Sequence, residues 1–570
     1  MADQSEPATS GSAPVGAAQA SAEPASGAST TGQAGTTQGM TFRPDRRFWV
    51  VYGCLMLVMF LSAMYQTVVA TALPTIVGDL GGVSRMSWAI TAYTLAQTVA
   101  MPVYGRLGDT IGRKPLYLVA IALFVGGSAL CGTSTSMEMF VAFRFLQGLG
   151  GGGLIISSQA ITGDLIPPRV RATYTAPLGA MFGLASILGP LLGGWLTDVL
   201  SWRWVFWFFL PFGTAAWVLV ALNLQLPRRH VRVRIDWLGL ALANTGAVGT
   251  VLIATWGGAL YPWSSPVILG LGLLTLLAWG ALLPVERRAA EPIMPPSILT
   301  NRTFAVATVV SVLALGCLFG INGYLPTYLQ MVYGVSASAS GLLLVPGAAG
   351  MVMGSMLSGA LVTRTGRYRL YPVVGSLLGA AGMAVIGLAN QATPLWWMCA
   401  GVFVLSLGIG LFFQLIVLVI QNALPASVLG TATSANNFFR EIGVSLGNTI
   451  VGVVFTSRLT SALTAAGLSS QDSSSLTPQA VRELGPAVHA SVVSAYVDSL
   501  SPVVLALVPV LLLSALVALG FEAIPLSART GLEQRELEKA LTADPTPLAG
   551  DVPLTGDEAQ PEAGQRTPEA

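Results

Sequence analysis

Fourteen apolar runs, each long enough to cross a bilayer as a helix, fill most of this 570-residue chain. They cover residues 48–73, 87–104, 116–134, 138–162, 173–197, 203–226, 236–257, 265–285, 303–326, 340–362, 370–389, 395–421, 430–456 and 501–524. About twenty apolar residues suffice for a helical span. In hydrocarbon every backbone N–H and C=O must be satisfied internally, which leaves only helices and closed barrels. A barrel would read as alternating stretches of about ten residues, whereas these runs are longer and uniformly apolar. The expected fold class is therefore an all-α polytopic membrane protein. Only 9% of the residues are charged, against about a quarter in soluble domains. A net charge of +2 carries no nucleic-acid footprint.

Basic residues in the connections set the orientation. With the first segment inside, eighteen arginines and lysines fall on the inner side, among them Arg106, Arg113, Lys114, Arg169, Arg171, Arg287, Arg364 and Arg367. The outer side holds four, Arg85, Arg203, Arg458 and Arg482. Both termini are thus expected in the cytoplasm. Residues 1–45 and 525–570 are polar and poor in large apolar side chains, and read as disordered tails. More than forty polar residues precede the first run, so that run is expected to stay as an anchor rather than be cleaved. The longest outer loop is 457–500, where Thr477 and Pro478 suit the start of a short solvated helix.

The chain also repeats itself. "ALPT" at 72–75 returns as "YLPT" at 324–327, an offset of 252. "GRLGDTIGR" at 105–113 returns as "GALVTRTGR" at 359–367, an offset of 254, and Pro167 and Gly189 return as Pro425 and Gly447, an offset of 258. Residues 46–226 and 301–524 are therefore two pseudo-symmetric six-helix halves, and residues 227–300 carry two inserted transmembrane helices. Such halves suit a transporter that holds its substrate near the midplane and rocks about it.

Residues 105–115 concentrate Arg106, Asp109, Arg113 and Lys114 between two uncharged runs. Gly105, Leu107, Asp109, Gly112, Arg113 and Lys114 resemble the loop signature of the major facilitator superfamily, with Thr110 in place of a usual Arg. The two glycines allow a tight turn. Asp109 could meet basic groups and a helix N-terminus when the halves close, making the segment a conformational latch. The alternative is a plain topology signal. Thr363 replaces Asp109 in the second half, so the latch reads as one-sided. "FRFLQGLGGGG" (143–153) resembles the family's fourth-span motif at Arg144, Gln147, Gly148 and Gly150. "ASILGPLLGG" (185–194) resembles its antiporter motif at Gly189, Pro190, Gly193 and Gly194. Close helix packing explains that last spacing as well as gating does.

The fourteen runs and "TVVATALPTI" at 67–76 are similar to the drug:proton antiporter branch with two extra spans. That resemblance implies proton-coupled efflux of amphiphilic or cationic drugs from a plasma membrane, with protons and membrane lipid as partners. It implies no cofactor beyond the proton gradient and no obligate protein partner. The branch's usual first-span Asp is Tyr65 here. The charged residues at depth are Arg144, Arg440 and Glu441, with Asp164 at the inner end of the fourth run. Charge there is costly enough to suggest function. Glu441 reads either as the proton carrier, with Arg144 and Asp164 assisting, or as half of a fixed ion pair. Tyr65, Gln66, Tyr93, Gln97, Gln159, Asn322, Gln330, Gln414 and Asn437 are candidates for the substrate cavity, or else glue between helices.

A dedicated exporter of one metabolite or self-made antibiotic is the near alternative. All basic residues but Lys114 and Lys539 are arginines, which suits a GC-rich bacterium. A membrane enzyme is remote: there is no Ser/His/Asp or Cys/His grouping and no P-loop. The four cysteines lack metal spacing and the two histidines, His230 and His489, lie far apart.

Overall fold

A computed structural model describes residues 44–81, 86–226, 236–258, 260–465 and 486–543. Most of the polar tails, the Thr477 segment, Arg85, Arg482 and the arginines at 228–234 lie outside the described residues.

The first half contains α1 (Arg46–Leu80), α2 (Met86–Thr110), α3 (Arg113–Thr133), α4 (Met137–Leu165), α5 (Pro168–Val199) and a sixth pass broken into α6 (Trp204–Trp207) and α7 (Leu210–Asn223). Two helices follow, α8 (Trp237–Trp256) and α9 (Pro266–Arg288), then a short α10 (Pro296–Leu299). The second half holds α11 (Arg302–Asn322) with α12 (Leu325–Tyr333), α13 (Ala337–Leu342) with α14 (Val345–Thr365), and α15 (Leu370–Gly387). It continues with α16 (Leu395–Phe413), α17 (Leu415–Ala423), α18 (Leu429–Ala465) and α19 (Pro486–Ala518). A last helix, α20 (Gly531–Ala543), lies beyond. Side-chain caps mark several starts: the carboxylate of Asp45 accepts from Phe48 N at 2.7 Å, and the amide oxygen of Asn301 accepts from Phe304 N at 3.0 Å.

Thirteen helical segments among the described residues are long and apolar enough to cross a membrane. The remaining expected run, 87–104, is α2, a 25-residue helix that packs on α4 and α18. Its Gln97 and Thr98 are buried against protein, and a helix screened from lipid does not need a uniformly apolar surface. Two boundaries differ from expectation. The outer loop expected over 457–500 is helical at both ends, as α18 runs to Ala465 and α19 starts at Pro486. The tail expected to be disordered from 525 instead carries α20.

The internal repeat has a direct structural counterpart. A Cβ on Gly105 of α2 would meet the Ser434 side chain and come within 2.8 Å of Gly430 O on α18. A Cβ on Gly359 of α14 would meet Ala176 Cβ and Ala172 O on α5, each at 2.7 Å. Gly105 and Gly359 are 254 residues apart, and each α5 partner lies 258 residues before its α18 equivalent. The halves therefore touch through two equivalent glycine-mediated crossings, α2 on α18 and α14 on α5. Gly105 is inside a helix and serves close approach, not the turn expected of it. The turn belongs to Gly112, whose φ of 107° precedes α3.

Candidate functional site

The two crossings converge on the end of the bundle that carries Arg106, Arg113, Lys114 and Arg364, called here the basic end. Asp109, on the last turn of α2, reaches the first turn of α18. Its Oδ1 accepts from Gly430 N at 3.0 Å, and its Oδ2 accepts from Thr431 N at 2.7 Å and from Thr431 Oγ1 at 3.0 Å. These amides are free because α18 begins only at Leu429, after a 3-10 turn at Ala426–Val428. The first amides of a helix have no partner within it, and the helix dipole favours an anion beside them. On its other side, Asp109 faces Arg113 Nη2 at 2.9 Å. Arg113 Nη1 pairs with Asp164 Oδ2 at 2.8 Å and donates to Ala160 O. Lys114 Nζ donates to Ala221 O at 2.8 Å, tying α3 to the end of α7.

A second layer lies deeper. Arg171 Nη1 donates to Gln421 Oε1 at 2.9 Å, and Gln421 Nε2 donates to Gln159 O at 3.2 Å and Thr433 Oγ1 at 3.0 Å. Asn437 Nδ2 donates to Gln159 Oε1 at 2.8 Å, again joining α18 to α4. Together with Thr173 against Thr363, 2.7 Å between hydroxyls, these bonds close the basic end between the halves. In the second half Thr363 takes the place of Asp109. The helix opposite it, α5, starts three residues earlier in register, at Pro168, so the amides equivalent to Gly430 and Thr431 are already committed to its own ladder. A carboxylate at 363 would find no free N–H there.

Beyond this seal lies the middle of the bundle. Glu441 is twelve residues into α18, about 18 Å from its start at 1.5 Å per residue. Its side chain is 23% exposed and stands 3.9 Å from Arg440, beyond hydrogen-bond reach. The Arg440 guanidinium lies 5.2 Å from the centre of the Phe413 ring, and Phe413 meets Phe182 of the other half edge-on at 5.4 Å. Gln414 interrupts the pass between α16 and α17, and its buried amide nitrogen has no acceptor among the described residues. Gln66 is exposed and Gln97 buried, the two side chains 3.3 Å apart.

The other expected site residues fall elsewhere. Arg144 does not pair with Glu441: it donates to Gln147 Oε1 at 2.6 Å and Ala89 O at 3.2 Å, and stacks 4.3 Å over Tyr93. Asp164 belongs to the Asp109 cluster, not to the mid-membrane carboxyl. Tyr65 is not a cavity wall. It is 1% exposed, donating to Phe206 O at 2.9 Å and accepting from Ser128 Oγ at 2.6 Å. Its ring packs against Phe124 and Phe209, where a carboxylate would have no polar cradle. Asn322 is exposed at the far end of α11, and Gln330 bonds locally to Ser340 at 3.0 Å. Gly189 and Gly193 press against Thr67, Val68 and Thr71 of α1, Pro190 lies between them, and Gly194 meets nothing within 4 Å. Gly447, the repeat of Gly189, presses likewise on Gly316 of α11.

The family model described as Major Facilitator Superfamily matches residues 55–448. The chain belongs to the major facilitator superfamily. A Bacillus subtilis (strain 168) facilitator named multidrug transporter protein MdtP is 33% identical over 89% of this chain and 98% of its own length. Multidrug resistance protein 3 of the same strain is 36% identical over 73% of this chain and 81% of its own. Among solved structures, the human organic anion transporter MFSD10 (TETRAN) superposes with a TM-score of 0.56 over 84% of this chain and 100% of that one, at 17% identity. At that identity the likeness speaks to the fold alone.

Three features of this facilitator's site were not read from its sequence. The Arg171–Gln421–Gln159–Asn437 network joins residues up to 278 apart, and only the fold brings them together. The free amides of Gly430 and Thr431 depend on where α18 starts. Arg535 of α20 also enters the Asp109 cluster, with Nη2 at 3.3 Å from Asp109 Oδ1 and Nη1 at 3.4 Å from Asp164 Oδ1. A signal for α20 was present in "TGLE" at 530–533: Thr530 Oγ1 accepts from Glu533 N at 3.2 Å and Glu533 Oε2 from Thr530 N at 2.7 Å, a reciprocal capping box.

Proposed function

We propose that this facilitator exports amphiphilic small molecules across a bacterial plasma membrane in exchange for protons, by alternating access. The observation that carries the reading is the one-ended seal, in which the two halves are hydrogen-bonded to each other at the basic end. The excess of arginine there makes that end cytoplasmic, and the relatives named as multidrug transporters supply the substrate class. Closure at the cytoplasmic face corresponds to the stage at which cargo leaves on the other side.

In this reading Asp109 is the latch. Opening the basic end withdraws its carboxylate from the Gly430 and Thr431 amides and exchanges them for water. Glu441 is the proton carrier. It lies at mid-depth, partly open, with only a loose arginine neighbour, so neither charge state is locked by a close hydrogen bond. Gln66, backed by the buried Gln97, and the half-buried Phe182 beside Phe413 form the adaptable wall that a range of amphiphiles would contact.

The test is drug accumulation in inverted membrane vesicles energised by an inward-acid gradient. Uptake of several unrelated cationic dyes should rise with the gradient and collapse with a protonophore. Gradient-independent uptake would remove the antiport, and uptake of a single compound would favour a dedicated exporter. Cysteines placed at Thr110 and Thr365 should both react with an impermeant thiol reagent from the cytoplasmic face. Labelling from opposite faces would refute the orientation.

A further inference from the structure

The segment after α19 does not leave the bundle. It crosses the basic end and bonds to both halves. Tyr368 Oη donates to Glu522 O at 2.6 Å, and Asn422 Nδ2 donates to Pro525 O at 3.2 Å, both on the second half. Ser527 then bridges: its N donates to Asn422 Oδ1 at 3.1 Å, and its O accepts from Arg169 N of the first half at 3.0 Å. Gly531 lies against α4, where an added Cβ would be 2.7 Å from Gly163 O. Glu538 Oε1 accepts from Ala426 N at 3.0 Å, back on the second half.

Arg535 is the centre of this crossing, 8% exposed. Besides Asp109 and Asp164 of the first half, it donates from Nε to Ala426 O at 2.5 Å. In an uninterrupted helix Gly430 N–H would donate to Ala426 O. Here Gly430 N gives its hydrogen to Asp109 and Ala426 O receives one from Arg535, so the ion pair replaces the missing helical bond. Charge balance points the same way. Asp109 and Asp164 are 2% exposed at their side chains, as is Arg113. The other buried cation beside Asp164, Arg171, spends its hydrogens on Gly163 O, Ile166 O and Gln421, so without Arg535 the two carboxylates would share the ion pair of Arg113 alone in a site closed to water, which is unfavourable.

From these contacts we infer that the C-terminal segment is a clip on the cytoplasmic seal, in which Arg535 is a positioning residue for Asp109 and Asp164. The inference rests on the alternating-access reading. Opening the basic end parts Asp164 from Ala426, so Arg535 must release one of them in every cycle.

The experiment uses the full chain in lipid nanodiscs, with spin labels at Arg169→Cys and Arg367→Cys, exposed positions on opposite halves. Inter-label distances report the basic end without any substrate. Arg535→Ala should raise the odds of the wide distribution, within the roughly 5- to 150-fold range of allosteric couplings. Arg535→Lys should recover part of the closed population, since it restores the charge without the planar fork. Adding Asp164→Asn to Arg535→Ala should also recover part, because Arg113 then no longer divides its ion pairing between two carboxylates. Gly531→Val, which lifts α20 by its clash with Gly163 O and Asp164 while leaving every charged residue in place, should open the end as Arg535→Ala does, and thermal midpoints check that each variant is folded. If Asp109→Asn widens the distances and folded Arg535→Ala and Gly531→Val do not, the clip is wrong and alternating access stands. If no variant widens them, both fall.

Discussion

Replacing Asp109 by Asn is the most direct measure of what holds the basic end closed. The carboxylate accepts three hydrogen bonds from α18, two of them from main-chain amides. Asparagine keeps one acceptor oxygen and presents an NH2 group in place of the other. Whichever way the amide turns, at least one of the Gly430 and Thr431 N–H groups faces a donor. A hydrogen bond to a charged group contributes about 1.5–3 kcal/mol net of water and a neutral one about 0.5–1.5. Losing one charged bond alone therefore removes about 2 kcal/mol from the closed state, roughly thirtyfold in the closed-to-open ratio, and weakening the other two adds to that loss. In the open state Asp109 is hydrated, and the substitution is close to neutral there. Spin labels at 169 and 367 would read the ratio in nanodiscs, and the efflux rate should fall while substrate binding persists. An unchanged distance distribution would refute the argument that Asp109 is a cross-half bond in the closed state.

Glu441→Gln should abolish gradient-driven drug uptake in vesicles and spare gradient-free exchange of drug for drug; full gradient-driven uptake would dismiss Glu441 as carrier. Gly105→Ala should keep α2 from seating on α18, since its Cβ would meet Ser434 and Gly430 O. Adding Ser434→Gly should return part of the lost efflux rate, and no recovery would mean that the close approach is not the cause. Thr363→Asp should not create a second latch, because the facing amides of α5 are already bonded in their helix; a more closed distance distribution in that variant would contradict this account.

The passes were legible because hydropathy alone determines which segments can sit in lipid. The limits of that signal are also physical. α2 has the lowest apolar contrast since protein, not lipid, covers Gln97 and Thr98. α19 starts fifteen residues before its apolar run, because Val492, Ala495, Tyr496 and Val497 of that extension pack into the core of the second half, and protein rather than lipid covers them. The repeat was legible in Gly105 and Gly359, and its meaning became clear once both were seen at equivalent crossings. Tyr65 shows where polarity within a span misleads: a polar group there suited either a cavity or glue between helices, and in this chain its hydroxyl ties α1 to Phe206 and Ser128 while its ring packs among Phe124, Phe206 and Phe209. Asp164 was assigned by depth and landed by geometry, since α4 packs along α3 and brings its last turn beside Arg113 at the start of α3. Composition also concealed α20, a short capped helix held in place by Arg535, Glu538 and the close approach of Gly531 among many polar residues.

The Asp109 contact uses main-chain donors, and this governs how the seal can be lost by mutation. Any residue but proline at 431 still offers its N–H, so substitutions there trim only the hydroxyl bond. Position 430 is narrower, because a Cβ would come within 2.8 Å of Asp109 Oδ1 and 2.9 Å of Gly105 O. On the helix that receives the carboxylate, heritable loosening of this gate is therefore concentrated at position 430, where any side chain disturbs the contact. In a population under selection, such alleles should gather there, on the acid's own side and in the terminal arm that braces it.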